Sequence, residues 1–344
     1  MIQNTFSIQF PAEWASQSAV LLTWPHEKTD WKPILDEVIP CFVSIAKEIL
    51  KREKLILVCD CIDNVKSVLG DVDYSQIIFR ELPSNDSWAR DHGPISVWVN
   101  EMPYILDFTF NGWGLKFAAN YDNQITRELH KSETFHPKVV CQNMLHMVLE
   151  GGSIESDGAG TILTTTECLL SPNRNEYKSK LEIEDYLKMM FDAKKVLWLN
   201  NGYLAGDDTD SHIDTLARFC NQETIAYVKC TDESDEHFEK LSLMESELKS
   251  FKTLEGKPYQ LIPLPMAEVV YCDEERLPAT YANFLIINGA VLMPTYNSPL
   301  DDVALKTLQE VFPDREIIGI NCLPLIKQHG SLHCVSMQIP EGFL

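Results

Sequence analysis

Apolar residues recur at three- and four-residue spacing in five stretches of this chain, and each stretch runs directly into a short aliphatic or β-branched segment. Residues 34–51 lead to 55–58, 123–131 to 138–141, 176–191 to 195–199, 235–251 to 259–262, and 300–311 to 316–320. The first member of each pair predicts an amphipathic helix; in the third, Leu181, Tyr186, Met189 and Met190 mark the apolar stripe. The second member is short and mostly apolar, as a strand covered on both faces is. Helix alternating with strand predicts an α/β fold. Five similar units suit a closed, pseudo-symmetric arrangement. An open doubly wound sheet is the alternative, but no G-x-G-x-x-G follows the first strand, so a dinucleotide-binding fold gains no support. The units repeat in architecture only, without visible sequence identity.

Composition narrows the class. The 344 residues, 45% hydrophobic and 23% charged, suffice for one large domain or two smaller ones. No run reaches the roughly 18 apolar residues of a membrane helix; the best, 284–293, is broken by Asn288 and Gly289. Met1, Ile2, Gln3 and Asn4 lack the basic-then-apolar start of a signal peptide, so the chain reads as soluble and cytoplasmic. A formal net charge of −22 argues against nucleic acid or an anionic membrane as partner and is compatible with a cationic ligand. Association into a homo-oligomer is left open. Ten cysteines include no C-x-x-C pair, which argues against a zinc ribbon or a thioredoxin-like site. Most sit in apolar runs and read as reduced, buried small hydrophobes.

The distinctive polar segments follow the predicted strands. They are Asp86-Ser-Trp88-Ala-Arg90-Asp91-His-Gly93-Pro94, Leu149-Glu150-Gly151-Gly152-Ser153, Asp207-Asp208-Thr209-Asp210-Ser211-His212-Ile213-Asp214, and Gly330-Ser331-Leu332-His333-Cys334-Val335-Ser336. One polar cluster per unit is what a site on a central axis requires. In an extended chain His212 and Asp214 share a face, and Asp208 and Asp210 extend it. A solvated acidic loop is the bland alternative. A calcium loop is another, but Thr215 stands where that loop needs glycine. Glu150 precedes paired glycines that allow a sharp turn or a close approach to a ligand. His146 and Glu150 as metal ligands on one helix face are disfavoured, because residues 147–149 read as strand. Cys334 lies in a strand-like pattern over 332–337 with His333 on the opposite face, which separates His329, His333 and Cys334 as a metal set. A Cys/His pair suggests acyl transfer. Three acidic groups around it suggest a cationic substrate, and a planar guanidinium matches carboxylates in a bidentate way. The same acids should raise the pKa of a nearby thiol, so a bound cation would help to ionise Cys334.

Together these segments resemble the agmatine deiminase family, which shares much of its pattern with bacterial-type peptidyl-arginine deiminases, within the guanidino-group-modifying pentein superfamily. The resemblance begins at Trp24-Pro25 and Trp31 and runs through the Trp88–Pro94 segment and Phe110-Asn111-Gly-Trp113-Gly114. It continues through Glu150–Ser153, Thr164–Leu170, Asn173-Arg174-Asn175, Tyr281-Ala-Asn283-Phe284 and Phe312-Pro313-Asp-Arg315 to His333-Cys334. It implies a five-bladed β/α propeller, one catalytic domain over 1–344 built from five ββαβ-like units. It implies Cys334 as nucleophile, His212 as general acid/base, Asp91 and Asp214 as guanidinium-binding carboxylates, and Glu150 as the residue that binds substrate and orients His212. It implies a covalent thiouronium, no metal and no organic cofactor, and agmatine as substrate with N-carbamoylputrescine and ammonia as products. In the family pattern the acid matching Asp208 is a partner for the distal amine, and Trp88 and Trp113 suit the same pocket.

Several positions depart from the family. Gln328-His329-Gly330-Ser331 replaces Gly-Gly-Gly-Asn, Asp208 replaces glutamate, Ser211 replaces glycine, and Met337-Gln338 replaces a Gln-Gln pair. These changes touch substrate fit. Arginine or peptidyl-arginine deimination and amidino transfer are the alternatives within the superfamily. A metal-dependent hydrolase, a calcium-binding module and a non-catalytic binder of a cationic ligand are the alternatives from other classes.

Overall fold

The computed structural model describes residues 7–344; the Met1–Asn4 segment read for a signal pattern lies outside them. Five small sheets share one wiring, an antiparallel pair extended by a parallel strand. The first unit runs Ser336–Pro340, Gln17–Thr23, Lys54–Cys59 and adds Ile77–Glu81. The second runs Ile95–Val99, Met102–Thr109, Val140–Val148, with Ile8–Gln9 on its outer edge. The third is Ile154–Ser156, Thr161–Thr165, Lys195–Leu199. The fourth is Ala217–Asn221, Thr224–Lys229, Gln260–Pro265. The fifth is Leu285–Ile287, Ala290–Thr295, Glu316–Asn321. Five repeated α/β units are thus present, as anticipated above. The first is completed by the last strand of the sequence.

Each parallel step is bridged by a helix. Leu35–Leu50 buries Val38, Cys41, Phe42, Ile45, Ala46 and Ile49 on one stripe. Ile125–Lys131, Lys180–Phe191, Phe238–Ser250 and Asp301–Val311 repeat the step in the other units. All five predicted helix–strand pairs therefore exist, with ends moved by a few residues. One detail differs in Lys180–Phe191. Its buried stripe is Ile183, Leu187 and Phe191, a regular four-residue ladder, and the predicted Leu181 and Met189 are 73% and 63% exposed. Ser179 and Glu182 form a reciprocal cap at its start. The apolar run 284–293 is a hairpin turning at Asn288-Gly289. No helix among the described residues is long and apolar enough to cross a membrane.

The inner ends of the units meet through side chains. Arg218, leading the fourth unit, binds Glu155 of the third and the carbonyl of Phe284 beside the fifth. Arg90, ahead of the second, binds Gln338 of the closing strand at 2.5 Å. The polar segments singled out from sequence lie at this convergence.

Candidate active site

Four short turns carry the site, and each is fixed by local chemistry. Asp91 sits in the single helical turn Ala89–His92, whose Arg90 amide donates to the Cys334 carbonyl at 3.1 Å. Glu150 caps the turn Gly151–Ser153. His212 immediately precedes the turn Ile213–Leu216, which contains Asp214. Cys334 lies in the turn over 332–335 that feeds Ser336–Pro340. Asp91, Glu150, His212, Asp214 and Cys334 are all buried.

Asp91 accepts from the Gly152 amide through Oδ1 and from the Trp113 indole through Oδ2, both at 2.9 Å. Its Oδ1 is 3.6 Å from His212 Nδ1. Neither ring nitrogen of His212 has a hydrogen-bond partner. The Cys334 thiol donates towards Asn283 Oδ1 at 3.4 Å and lies 3.8 Å from Asp214 Oδ2. Asn283 Oδ1 also accepts from the His333 and Cys334 amides, and so fixes the backbone at Cys334. Gly152 floors the gap between these groups. A Cβ there would lie 2.7 Å from His212 Nδ1, 2.8 Å from Asp91 Oδ1 and 3.1 Å from Asp214 Oδ2. The glycine therefore lets two carboxylates and an imidazole converge on one backbone position, a slot too tight for a Cβ.

Burial favours neutral forms here, and neighbouring charges decide the outcome. Burial alone would lower the His212 pKa, but the surrounding anions, Asp91 foremost, outweigh it and hold the value well above the usual imidazole range. Burial pushes the Asp91 carboxyl up, against the pull of His212. Asp214 is lowered, because the hydrogen bond and charge of His333 overcome its burial. Burial, then Asp214 and Asp91, push the Cys334 thiol well up.

A cavity of about 700 Å³ opens outward from Cys334. Asp91, Trp88 and Trp113 line it near the thiol, and Asp208, Lys327 and His329 line it too. Burial raises Asp208 to about 6, opposed by His329. Gly330 is needed beneath Trp88, since a Cβ would fall 2.1 Å from its ring.

All eight residues nominated from sequence lie at this site, with three local differences. His212 and Asp214 share it from a helical turn, not an extended strand, because the chain is already coiling at Ile213. His333 and Cys334 precede the last strand, and both reach the same oxygen of Asp214, so they do not occupy opposite faces. Glu150 makes its close contacts to Arg174, whose Nε lies 2.9 and 3.0 Å from the two carboxylate oxygens. Arg174 also grips Asp210 and the Thr209 carbonyl, and Lys116 holds Asp210 at 2.6 Å, so the acidic loop is tied down by cations.

Glu150, Cys168 and His212 place one ligand atom each within 4.8 Å of one another, as do Glu13, Glu155 and His333. In both sets guanidinium groups already supply the countercharge, Arg174 in the first and Arg218 in the second. Arg174, Cys168 and Asn283 went unassigned in the sequence reading, although each falls within a segment of the family resemblance. Glu13 carried no signal.

A family model for Porphyromonas-type peptidyl-arginine deiminase matches residues 9–340. A Porphyromonas gingivalis crystal structure, provisionally named an arginine deiminase, is 57% identical; the match covers 98% of this chain and 100% of that one, with a TM-score of 0.95. A cysteine-to-serine variant of C. jejuni agmatine deiminase with substrate bound is 37% identical over 100% of this chain and 99% of its own, with a TM-score of 0.93. A Vibrio parahaemolyticus protein, provisionally named an agmatine deiminase, is 34% identical over 96% of both chains. These matches run through every turn that builds the slot, and the chain belongs to the family of Porphyromonas-type peptidyl-arginine deiminases and agmatine deiminases.

Proposed function

We propose that this protein hydrolyses agmatine and water to N-carbamoylputrescine and ammonia, as one catalytic domain. The observation that carries the reading is the convergence of Asp91, His212 and Asp214 beside the buried Cys334 thiol, which together with Asp91 lines the cavity. A guanidinium laid there meets Asp91 and Asp214 edge-on, and its carbon faces Cys334. Its charge offsets the carboxylates that keep the thiol protonated, so substrate favours the thiolate. Sulfur attacks carbon, and a C–S bond forms. His212, held cationic by Asp91, protonates the departing nitrogen, and ammonia leaves with the breaking C–N bond. The neutral imidazole then takes a proton from water as its oxygen adds to the same carbon. The C–S bond breaks as the added hydroxyl becomes the urea carbonyl, and the proton it gives up replaces the one the thiol lost to solvent when substrate bound. Glu150, locked by Arg174, adds negative charge beside His212. No step draws on a metal or an organic cofactor. At the far end, Asp208 is the acid for the distal ammonium, with Trp88 and Trp113 as apolar walls.

One observation favours arginine as a second reading. Lys28, Lys327 and His329 line the same cavity and could receive a carboxylate, and the P. gingivalis relative is provisionally named for arginine. A product screen with agmatine, free arginine and an arginine-containing peptide separates the two. Ammonia and N-carbamoylputrescine should form from agmatine, and Cys334→Ala should abolish turnover. An enzyme inert on agmatine but active on arginine would replace the first reading with the second.

A further inference from the structure

A chain of buried polar contacts leads away from the nucleophile, and the chemical steps above use only its first member. Asp214 Oδ2 is 2.7 Å from His333 Nδ1, and His333 Nε2 is 2.6 Å from Glu13 Oε2. Glu13 also accepts from Arg218 at 2.8 Å and from the Ile286 amide at 2.7 Å. Arg218 binds Glu155, and Arg90 Nη2 is 3.6 Å from Glu13. All of these residues are buried. Glu13, Arg90, Glu155 and His333 line a small cavity of about 40 Å³ that shares no lining residue with the one at Cys334. The contacts therefore link the residue at one cavity to the residues lining the other.

Two carboxylates face one imidazole. Burial would raise both, but Arg218 and His333 pull Glu13 down, and His333 pulls Asp214 down. Both ring nitrogens of His333 are thus engaged by carboxylate oxygens, one on each side. Asp214 Oδ2 is committed to the ring, whereas Oδ1 is buried without a partner. We propose that His333 is a positioning residue: pinned from behind by Glu13, it clamps Asp214 through Oδ2 and fixes the orientation in which this carboxylate meets the substrate guanidinium. This rests on the reading of Asp214 as a guanidinium-binding carboxylate.

The test compares KM and kcat for ammonia release in wild type, His333→Phe, Glu13→Gln and the double variant. His333→Phe keeps ring volume and removes both ring nitrogens; KM should rise about 10- to 100-fold, the scale of a lost charge-assisted hydrogen bond, with kcat falling less. Glu13→Gln contacts neither Cys334 nor the substrate cavity, and should raise KM in the same direction by a smaller factor. The double variant should be no worse than His333→Phe, because both changes act through one ring. His333→Asn, which retains a donor, should recover part of the loss. A His333→Phe KM within about twofold of wild type, or effects that multiply in the double variant, would overturn the clamp. Where His333→Phe does not fold, Glu13→Gln and His333→Asn decide: a wild-type KM in the first, or no measurable substrate binding in the second, overturns it. Wild type inert on every guanidino compound would instead overturn the functional reading beneath it.

Discussion

At Gly152 the absence of a side chain lets Asp91, His212 and Asp214 close on the backbone. The glycine does not need a left-handed conformation, so alanine suits its backbone but displaces these three groups. Gly152→Ala should therefore leave the fold in place, at a stability cost of about 1–3 kcal/mol, while kcat/KM falls by roughly 100-fold or more. Thermal melting and steady-state ammonia release check the two halves, and wild-type kcat/KM would contradict the slot as guanidinium site. The groups around this glycine were legible in the sequence because each lies in a polar run that interrupts an apolar pattern. Glu13 was not: it meets His333 across 320 positions, and a lone glutamate between Ala12 and Trp14 carries no local sign of that partner. Arg174 was hidden differently, since nothing in Asn173-Arg174-Asn175 reveals that its guanidinium reaches a buried carboxylate.

Among the elements, the hairpin of the second unit stores a correctable strain. Ile95–Val99 and Met102–Thr109 are joined by Asn100 and Glu101 alone, at φ 49° and 64°. Such a loop matches strand twist but requires two left-handed residues. Asn100 tolerates this and accepts from the Ser7 amide at 2.9 Å. Glu101 has a Cβ that resists it. Glu101→Gly should stabilise the protein by about 0.5–1 kcal/mol with unchanged activity, read as a higher urea midpoint at constant m-value. An unchanged or lower midpoint would show that the loop is not strained. Hairpins were also the part of each unit least visible beforehand. Ile154–Ser156 and Leu285–Ile287 have three residues each, too few to display a two-residue period. The crossover helices and the parallel strands after them are longer, which is why those pairs stood out.

Across the whole molecule, the seam between the first and fifth units contains an ionisable weak point. Glu53 is buried beside the Asn288 turn; its Oε2 receives one amide at 3.3 Å and its Oε1 has no partner. Burial raises its carboxyl from 4.5 to about 7. The folded state thus holds this proton more tightly than the unfolded chain. The associated stability is fully present below about 4.5 and is lost as pH rises through about 7. Glu53→Gln should match wild type in thermal melts at pH 5 and exceed it at pH 8 by about 1–3 kcal/mol; equal melting at both pH values would refute the assignment. The same unit ends on a strand borrowed from the far end of the sequence, and that arrangement bears on synthesis. A ribosome works from the N-terminus, so Gln17–Thr23 keeps an open edge until Ser336–Pro340 emerges. Cys334 arrives just ahead of that strand. A nascent chain halted anywhere upstream is both unclosed and without Cys334, so on the proposed mechanism an abortive product cannot turn over a guanidino compound.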